Sequence, residues 1–544
     1  MPQPFARHLA RALFPVILGV ALAAAVRAAD WPMFLGGPSH VNISTETLSV
    51  PMALEWKFKT TYYANNPVAP VVAGHTLFLA SQSNLYALDA ETGEQKWKYP
   101  AEGPIGTPTA ATIKATPAVA DGLVFVGASD GVMYAIDAAT GTLKWQYQTN
   151  GHIRFAPTIV DKTLYFGSDD YKVYALDVDT GKPAMDPIKT ENSIVGSPAF
   201  ADNLLYFTSA DLHFYAANAS TGNLKYKIRL TNGNVYSSPV ASDRYVFVVG
   251  GNVLYAMMRS GSVRWAYTAH NPITNTPLVT DDGVYFGDRA GRFYGLDAKG
   301  REKWTITDNA ARTMLFTDKP KPTAAAGSDP YLQLAGAVFS SAIQSGKNIL
   351  VGTNRGFLYA IDAATGKVNW EYGMFADLPK GTYPNIASPP VIANGRLYVM
   401  SDDGFLHCFA PGAMDAEPPH ITDVTPIRAT QMNGSPPILM GGIVSDEGSG
   451  INASTIQLTL DDEPVSFTYQ PNSGWVYYRT PVTQPIQPLE SKRHSISLSV
   501  KDWKGNKATE TWSFIVDNTL APSVIETPGT SDVGGNAVGG AMPG

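Results

Sequence analysis

Short runs of alternating apolar and polar residues fill the first three quarters of the chain, and tight turns separate them. The clearest example is Tyr359–Trp370, where alternating apolar positions lead to Asp362, Thr365-Gly366 follows, and Trp370 opens the next run. Such alternation predicts two β-strands joined by a turn. Glycine alone takes a left-handed turn conformation without steric cost, so Gly366 is predicted to be the turn residue.

This unit recurs about every 40 residues, a period typical of solenoids and propellers. Copies begin at Tyr86, Tyr134, Tyr174, Tyr215, Tyr255, Tyr294 and Tyr359. Each repeat divides into four predicted strands. The last repeat ends at Ala410-Pro411 without a fourth strand, whereas Leu54–Lys59, after an irregular lead-in, is a fourth strand without a repeat. We therefore predict an all-β fold with an eight-bladed β-propeller over residues 30–412, closed by this N-terminal strand, because closure removes exposed sheet edges.

The pattern changes beyond the propeller. Residues 413–420 are a predicted linker, and the alternating strands of residues 421–518 predict an immunoglobulin-like β-sandwich. Glycine pairs among small residues predict a disordered tail over residues 519–544. Residues 308–336 interrupt the repeats as a long insertion, which could carry function or be inert.

The N-terminus has the pattern of a secretory signal peptide. Arg7 and Arg11 precede an apolar run, and small residues surround Ala28, so residues 1–28 are predicted to be removed. The apolar run is too short to span a bilayer comfortably, so no integral membrane segment is expected after removal. Cys408 is the single cysteine, which excludes an internal disulfide and a lipid-anchor cysteine at the mature N-terminus. We expect a periplasmic or secreted monomer.

The charge balance restricts the partners. Only 16% of the 544 residues are charged, and the formal net charge is −7. An acidic surface disfavours phosphate backbones, so no nucleic-acid partner is expected.

The sequence contains no recognisable catalytic apparatus. The nine histidines are dispersed without a zinc-binding spacing, and no nucleophile elbow or phosphate-binding loop is present. We therefore predict no catalytic residues and no metal ligands. Asp-rich turns such as Asp169-Asp170 lack the alternating ligand spacing of a calcium loop.

One set of polar residues is a candidate ligand-binding site at a mouth of the central channel, where the segments leading into the innermost strands converge. Its members are Lys114, His152, Arg154, Glu191, Asn192, Tyr236, Asn275 and Asn385. Cations, amides and an aromatic ring would suit a small polar or anionic ligand, with Lys114 and Arg154 on its carboxylates. Glu191 and Asn192 would then be the first candidates for a metal. Ordinary polar loops around trapped water are an equal alternative.

The unit Ala-x-Asp-x-x-Thr-Gly-x-x-x-Trp, seen at Ala87–Trp97, Ala135–Trp145 and Ala360–Trp370, resembles the tryptophan-docking repeat of pyrroloquinoline-quinone-type propellers. The resemblance implies that the repeat tryptophans dock between adjacent blades and serve the fold. These are Trp56, Trp97, Trp145, Trp265, Trp304 and Trp370. Residues 417–518 look like a bacterial immunoglobulin-like domain.

Two kinds of protein share this repeat: eight-bladed quinoprotein dehydrogenases, and non-catalytic propellers such as the outer-membrane-protein assembly scaffold. The dehydrogenases carry adjacent cysteines and often a haem-attachment motif, and a single cysteine excludes both. The resemblance therefore favours a non-enzymatic scaffold for protein–protein interaction in the cell envelope, without a cofactor. The alternative is a dehydrogenase dependent on pyrroloquinoline quinone (PQQ) and calcium that oxidises an alcohol or sugar, because some quinone-binding propellers lack those cysteines.

Overall fold

The computed structural model describes residues 30–60, 68–106, 111–230, 237–273, 275–308, 312–314, 333–334, 338, 340–374 and 383–522. The predicted signal peptide, most of the insertion and the tail from residue 523 lie outside these ranges. No helix in the described ranges is long and apolar enough to cross a membrane. The described helix is a single 3-10 turn, Phe34–Gly36.

The described residues form eight antiparallel sheets in chain order, here called blades 1 to 8, each with its first strand innermost. The strands of blades 1 to 4 are Val71–Ala73, Thr76–Ser81, Asn84–Asp89, Gln95–Tyr99; Ala118–Ala120, Leu123–Gly127, Val132–Asp137, Leu143–Gln148; Thr158–Val160, Thr163–Ser168, Lys172–Asp177, Ile188–Lys189; and Ala199–Ala201, Leu204–Ser209, His213–Asn218, Leu224–Arg229. Those of blades 5 to 8 are Val240–Ala241, Val246–Gly250, Val253–Met257, Val263–Thr268; Leu278–Val279, Gly283–Gly287, Phe293–Asp297, Glu302–Asp308, with Gln333–Leu334 added in parallel; Ile343–Ser345, Asn348–Gly352, Phe357–Asp362, Val368–Gly373; and Val391–Ala393, Arg396–Met400, Phe405–Ala410, with Ala53–Lys59 outermost.

Ring closure occurs as predicted. Ala53–Lys59 pairs antiparallel with Phe405–Ala410, with Trp56 opposite Cys408 and Lys59 opposite Phe405. The early strand is therefore the fourth strand of blade 8, and the all-β propeller expected from the repeats is confirmed.

Burial follows the position of a strand within its blade. Leu204–Ser209, a second strand, is buried at every residue, because both faces of the blade pack against neighbouring blades. Leu224–Arg229, a fourth strand, alternates between exposed and partly buried residues at the rim. The core is consequently a series of apolar layers between blades.

Except for Trp370, each docked tryptophan packs on the turn glycine of the next blade. Gly366 has φ +74°, as its turn position requires, and a Cβ there would lie 2.9 Å from the indole of Trp304. The indole Nε1 of Trp304 donates to the carbonyl of Ala363 in the same turn, at 3.2 Å. The glycine is thus needed both for its backbone conformation and for the close approach of the indole. Trp56, Trp97 and Trp145 make the equivalent contacts.

Trp370 differs from the other docked tryptophans. The chain leaves blade 8 after its third strand, and the fourth strand comes from the N-terminus. Blade 8 therefore has no turn between its third and fourth strands that could receive the indole. Trp370 instead donates to the carbonyl of Ser449, at 3.2 Å, in the domain that follows the propeller. Tyr372, two residues on, donates its hydroxyl to the carbonyl of Glu447 at 2.8 Å. The C-terminal domain therefore takes the place of the missing turn.

That C-terminal domain is a β-sandwich around its own apolar core. In spatial order its sheets contain Arg312–Met314, Phe467–Gln470, Trp475–Arg479, Leu439–Ser445 and His420–Thr425; and Gln431–Met432, Lys507–Val516, Arg493–Asp502, Ile451–Leu460 and Glu463–Pro464. A strand of the insertion after blade 6 thus covers the edge of the sandwich. The immunoglobulin-like assignment of this sandwich stays a prediction.

Residues 30–50, here called the arm, run along the innermost strands. Backbone carbonyls of the arm accept hydrogen bonds from the free edges of blades 1, 2, 4, 5 and 7, in the pairs Trp31–Val72, Pro32–Val119, Pro38–Phe200, Ser39–Ala241 and Asn42–Gln344. The Glu46 carboxylate accepts from the backbone of Asn394 and Gly395, in the first turn of blade 8. The arm therefore follows the inner edges of the blades around the ring, near the end where first strands turn into second strands, here called the lower face.

Candidate functional site

The opposite, upper face carries the turns between second and third strands and the connections between blades. All the predicted ligand-binding residues that are described lie on these connections: Lys114, His152, Arg154, Glu191, Asn192, Asn275 and Asn385. Tyr236 lies outside the described residues.

Two of the predicted residues share one carboxylate. Nε of Arg154 lies 2.5 Å from Oδ2 of Asp169, and Nδ1 of His152 lies 3.9 Å from the same oxygen. Asp169 sits in the turn of blade 3, directly beside the connection that carries both residues. The guanidinium that was expected to hold a ligand carboxylate is thus already paired with a protein carboxylate. Lys114 is exposed.

Glu191 and Asn192, the predicted metal candidates, also have internal partners. Oε1 of Glu191 lies 2.6 Å from Nζ of Lys227. The side-chain oxygen of Asn192 accepts from the backbone N–H of Ser193 at 2.8 Å. These contacts fix the connection between blades 3 and 4.

The two remaining asparagines connect neighbouring blades. Asn275 is 4% exposed, donates to the carbonyl of Ser340 at 3.0 Å, and accepts from the N–H of Gly287 at 3.1 Å. The backbone N–H of Asn385 donates to Asp402 at 2.7 Å, and burial raises the pKa of that carboxyl. The side-chain oxygen of Asn385 is buried without a hydrogen-bond partner among the described residues. Asn385 is therefore a described residue of this face with an unused hydrogen-bond acceptor, as is Asp170, and Asp402 lies beside Asn385.

Sequence reasoning missed a recurrent Asp–Tyr contact on the upper face. A tyrosine hydroxyl donates to the carboxylate of the preceding turn in four blades, in the pairs Tyr134–Asp130, Tyr174–Asp170, Tyr215–Asp211 and Tyr294–Asp288, at 2.5 to 2.8 Å. Burial, and then the hydrogen bond to Asp288, raises the pKa of Tyr294 to about 12. The signal was present in the sequence, because three of these aspartates stand four residues before the tyrosine of the repeat unit.

Among the described residues, one group of carboxylates could hold a cation, and it lies at the junction of propeller and sandwich. Carboxylate oxygens of Asp415, Asp446 and Asp502 lie within 4.8 Å of one another. Burial, and then the charges of the other two aspartates, raises the pKa of Asp446 to about 6. Backbone N–H groups of Ser449 and Gly450 donate to Asp415 and Asp446, so these carboxylates also shape the turn that receives Trp370. Asp415 lies in the predicted linker and the other two aspartates lie in the predicted sandwich, so the sequence did not bring the three together.

Sheet topology and tryptophan docking define the class: a β-propeller of tryptophan-docking repeats followed by a β-sandwich. The chain belongs to the family described as outer membrane protein assembly factor BamB, whose model matches residues 53–191, 152–236 and 229–417. No curated protein sequence matches the chain.

Solved structures share this fold at low sequence identity. BamB from Moraxella catarrhalis is 15% identical with a TM-score of 0.51, covering 66% of this chain and 99% of that one. Quinohemoprotein alcohol dehydrogenase from Comamonas testosteroni is 16% identical with a TM-score of 0.54, covering 75% and 84%. A europium-containing methanol dehydrogenase is 16% identical with a TM-score of 0.52, covering 70% and 98%. At these identities the likeness extends to the fold alone.

Proposed function

We propose that this protein is an exported, non-enzymatic β-propeller scaffold that binds protein partners in the cell envelope. The observation that carries the proposal is the upper face, where Arg154 and Glu191 are each paired with a neighbouring protein side chain. Polar residues held in this way present a rigid, chemically mixed surface, which suits a protein partner better than a small cofactor. The match to the assembly-factor family supports the same direction.

The partner we propose is another protein of outer-membrane protein assembly, docked on the upper face. The arm follows the inner edges of the blades on the lower face, and the sandwich receives Trp370 of blade 7. The upper face has neither of these coverings in the described part of the chain. Its connections between blades would be the contact loops, as expected for loops carried on a rigid scaffold.

Affinity capture from envelope extract tests the proposal with a matched control. Lys114→Glu with His152→Glu changes two exposed residues of the upper face, and Lys144→Glu changes the rim of blade 2. We expect a defined partner to be captured by the unaltered protein and the rim variant, and lost with the upper-face variant. Equal capture by all three proteins would refute docking on this face.

The dehydrogenase alternative is favoured by the fold shared with two dehydrogenases and requires PQQ and calcium. In such a dehydrogenase, Asn385, whose side-chain oxygen has no hydrogen-bond partner among the described residues, and the neighbouring Asp402 would be the first candidates to contact the cofactor or the metal. The purified protein is mixed with PQQ and calcium and titrated for an absorbance band and for reduction of an artificial electron acceptor. Saturable quinone binding with substrate-dependent dye reduction would overturn the non-enzymatic proposal.

Export is tested by the mature N-terminus. Mass spectrometry of protein recovered from the envelope should find a chain that begins after Ala28 or Ala29, because the arm is structured from Trp31 onward. Recovery of full-length chain from the cytoplasm would contradict export.

A further inference from the structure

A cleft of about 680 Å³ lies between blades 5 and 6 on the lower face, beside the arm. Ile43 of the arm, the aromatic rings of Tyr245 and Trp265, and the cations Arg244, Arg264 and Lys299 line it. Its volume falls within the range of small-molecule sites in proteins, roughly 300–1,000 Å³.

At the cleft the arm passes blade 6 without a backbone hydrogen bond to its first strand in the described residues. The arm gives the carbonyl of Ser39 to Ala241 in blade 5 and the carbonyl of Asn42 to Gln344 in blade 7. Val279, the equivalent residue of blade 6, receives no arm carbonyl among the described residues. The side chain of Ile43, a residue of the arm at this point, is 41% exposed. The apolar groups that solvent reaches in the cleft are thus Ile43 and the half-buried rings of Tyr245 and Trp265.

Blade 5 also lacks the carboxylate that pairs with the cation before the docked tryptophan in blades 1 and 2. In blades 1 and 2 this cation forms an ion pair with the turn aspartate, Lys96 with Asp89 at 3.2 Å and Lys144 with Asp137 at 3.1 Å. Met258 stands at the corresponding position of blade 5. Within the described ranges Arg264 accordingly has no ion-pair partner, and its position lines the cleft.

The turn of blade 6 leaves a second polar group unused. It is one residue shorter than the turns of blades 1 and 2, so the indole N–H of Trp265 has no acceptor among the described residues. Trp97 and Trp145 give the same N–H to a backbone carbonyl of the next blade at 3.0 Å. The cleft therefore combines aromatic side chains with a guanidinium, Arg264, whose equivalent is paired in blades 1 and 2, whereas the unsatisfied indole N–H of Trp265 is itself buried.

We propose that this cleft binds an amphipathic organic monoanion, with an aromatic or aliphatic body and one carboxylate or sulfonate group. The body would lie against Ile43, Tyr245 and Trp265, and the anionic group would take charge-assisted hydrogen bonds from Arg264. Asp243 and Asp281 also line the cleft, so three cations face two carboxylates and a single negative charge balances the site. This proposal stands independently of the scaffold function, because it concerns the lower face.

The test uses anilinonaphthalene sulfonate, a fluorescent aromatic monoanion, and phenylnaphthylamine, a neutral relative of similar shape. Arg264→Met removes the cation and keeps most of the side-chain length, and Lys144→Met makes the same change where the cation is paired with Asp137. Lys299→Met is a second cleft variant, and circular dichroism verifies the fold of each protein. Fluorescence titrations give the dissociation constant of each dye.

We expect the Arg264 variant to bind the sulfonate at least about five-fold more weakly, the Lys299 variant to weaken it to a smaller extent, and the Lys144 variant to match the unaltered protein. Binding of the neutral dye should change little in any variant. Unchanged sulfonate affinity in both cleft variants, equal loss in the Lys144 variant, or absence of saturable binding would each overturn the proposal.

Discussion

Replacing Trp370 by alanine is expected to uncouple the sandwich from the propeller. The side chain is fully buried, and its ring lies 5.8 Å from that of Phe409 in an edge-to-face arrangement. Its indole N–H is bonded to Ser449 across the junction. One side chain thus contributes to the layer between blades 7 and 8 and to the contact between domains.

The magnitude follows from the burial. Truncation of a buried tryptophan to alanine costs roughly 3–5 kcal/mol, since the transfer free energy is lost and a cavity remains. Loss of a single neutral hydrogen bond contributes about 1 kcal/mol of that. Trp370→Phe, which keeps an aromatic ring and removes the N–H, should therefore cost roughly 1–2 kcal/mol.

The assay is urea unfolding followed by two signals, one for each domain. Tryptophan fluorescence is dominated by the propeller, and a fluorophore on a cysteine introduced at Ser495, with Cys408 buried, reports on the sandwich. The unaltered protein should unfold with coincident transitions, and Trp370→Ala should separate them, with the propeller unfolding at lower urea. The control is Trp97→Ala, which removes a partly buried tryptophan between blades 1 and 2 and should lower the propeller midpoint without separating the two signals. Coincident transitions at an unchanged midpoint in Trp370→Ala would refute the reasoning.

Three further predictions concern stability. Gly366→Ala should lower the free energy of unfolding by urea by about 2–4 kcal/mol, because backbone strain at φ +74° adds to a close contact with Trp304. The control Gly395→Ala, at φ +71° with open space around it, should cost about 1 kcal/mol. Equal costs would show that the indole contact is unimportant. Asp446 has a pKa raised to about 6, so its protonated form favours the folded state, and the stability it contributes below pH 4 is lost as pH rises to 6. Asp446→Asn should hence be about 1–2 kcal/mol more stable at pH 7.5, allowing for partial exposure, and lower stability there would contradict the assignment. Burial lowers the pKa of His40 to about 4, so its contribution to the free energy of unfolding is present above pH 6.5 and is lost as pH falls toward 4. His40→Gln should therefore flatten the dependence of stability on pH between these values. An unchanged slope would exclude His40 as its cause.

The repeat made most of the fold predictable. Periodic Tyr, Asp, Gly and Trp positions specify strand, turn and docking at once, and the unpaired strand at Leu54–Lys59 predicted closure because the last repeat lacked one. The partner of Trp370 could not be predicted in this way. The repeat implies a turn in the next blade, and the substitute, Ser449, lies in a domain with a different pattern.

The candidate site was harder to predict, because its chemistry depends on side-chain pairing across connections. The sequence gives no sign that Arg154 has an ion-pair partner, and only the structure places Asp169 beside it. Similarly, the arm has no regular alternation, since its hydrogen bonds are divided among several blades and at most one or two residues of the arm pair with any one strand. Asp415, Asp446 and Asp502 come from three segments that periodicity does not relate.

The pairing of Ala53–Lys59 with Phe405–Ala410 has a consequence for how the molecule is made. Because an exported chain emerges N-terminus first on the far side of the membrane, this strand is present long before its ladder partner among the described strands, which lies some 350 residues later in the chain. Until then its backbone edge and its apolar face are open to any other chain. Folding should therefore pass through a long-lived intermediate in which the ring is open. Molecular chaperones that bind extended segments would act mainly on this one strand.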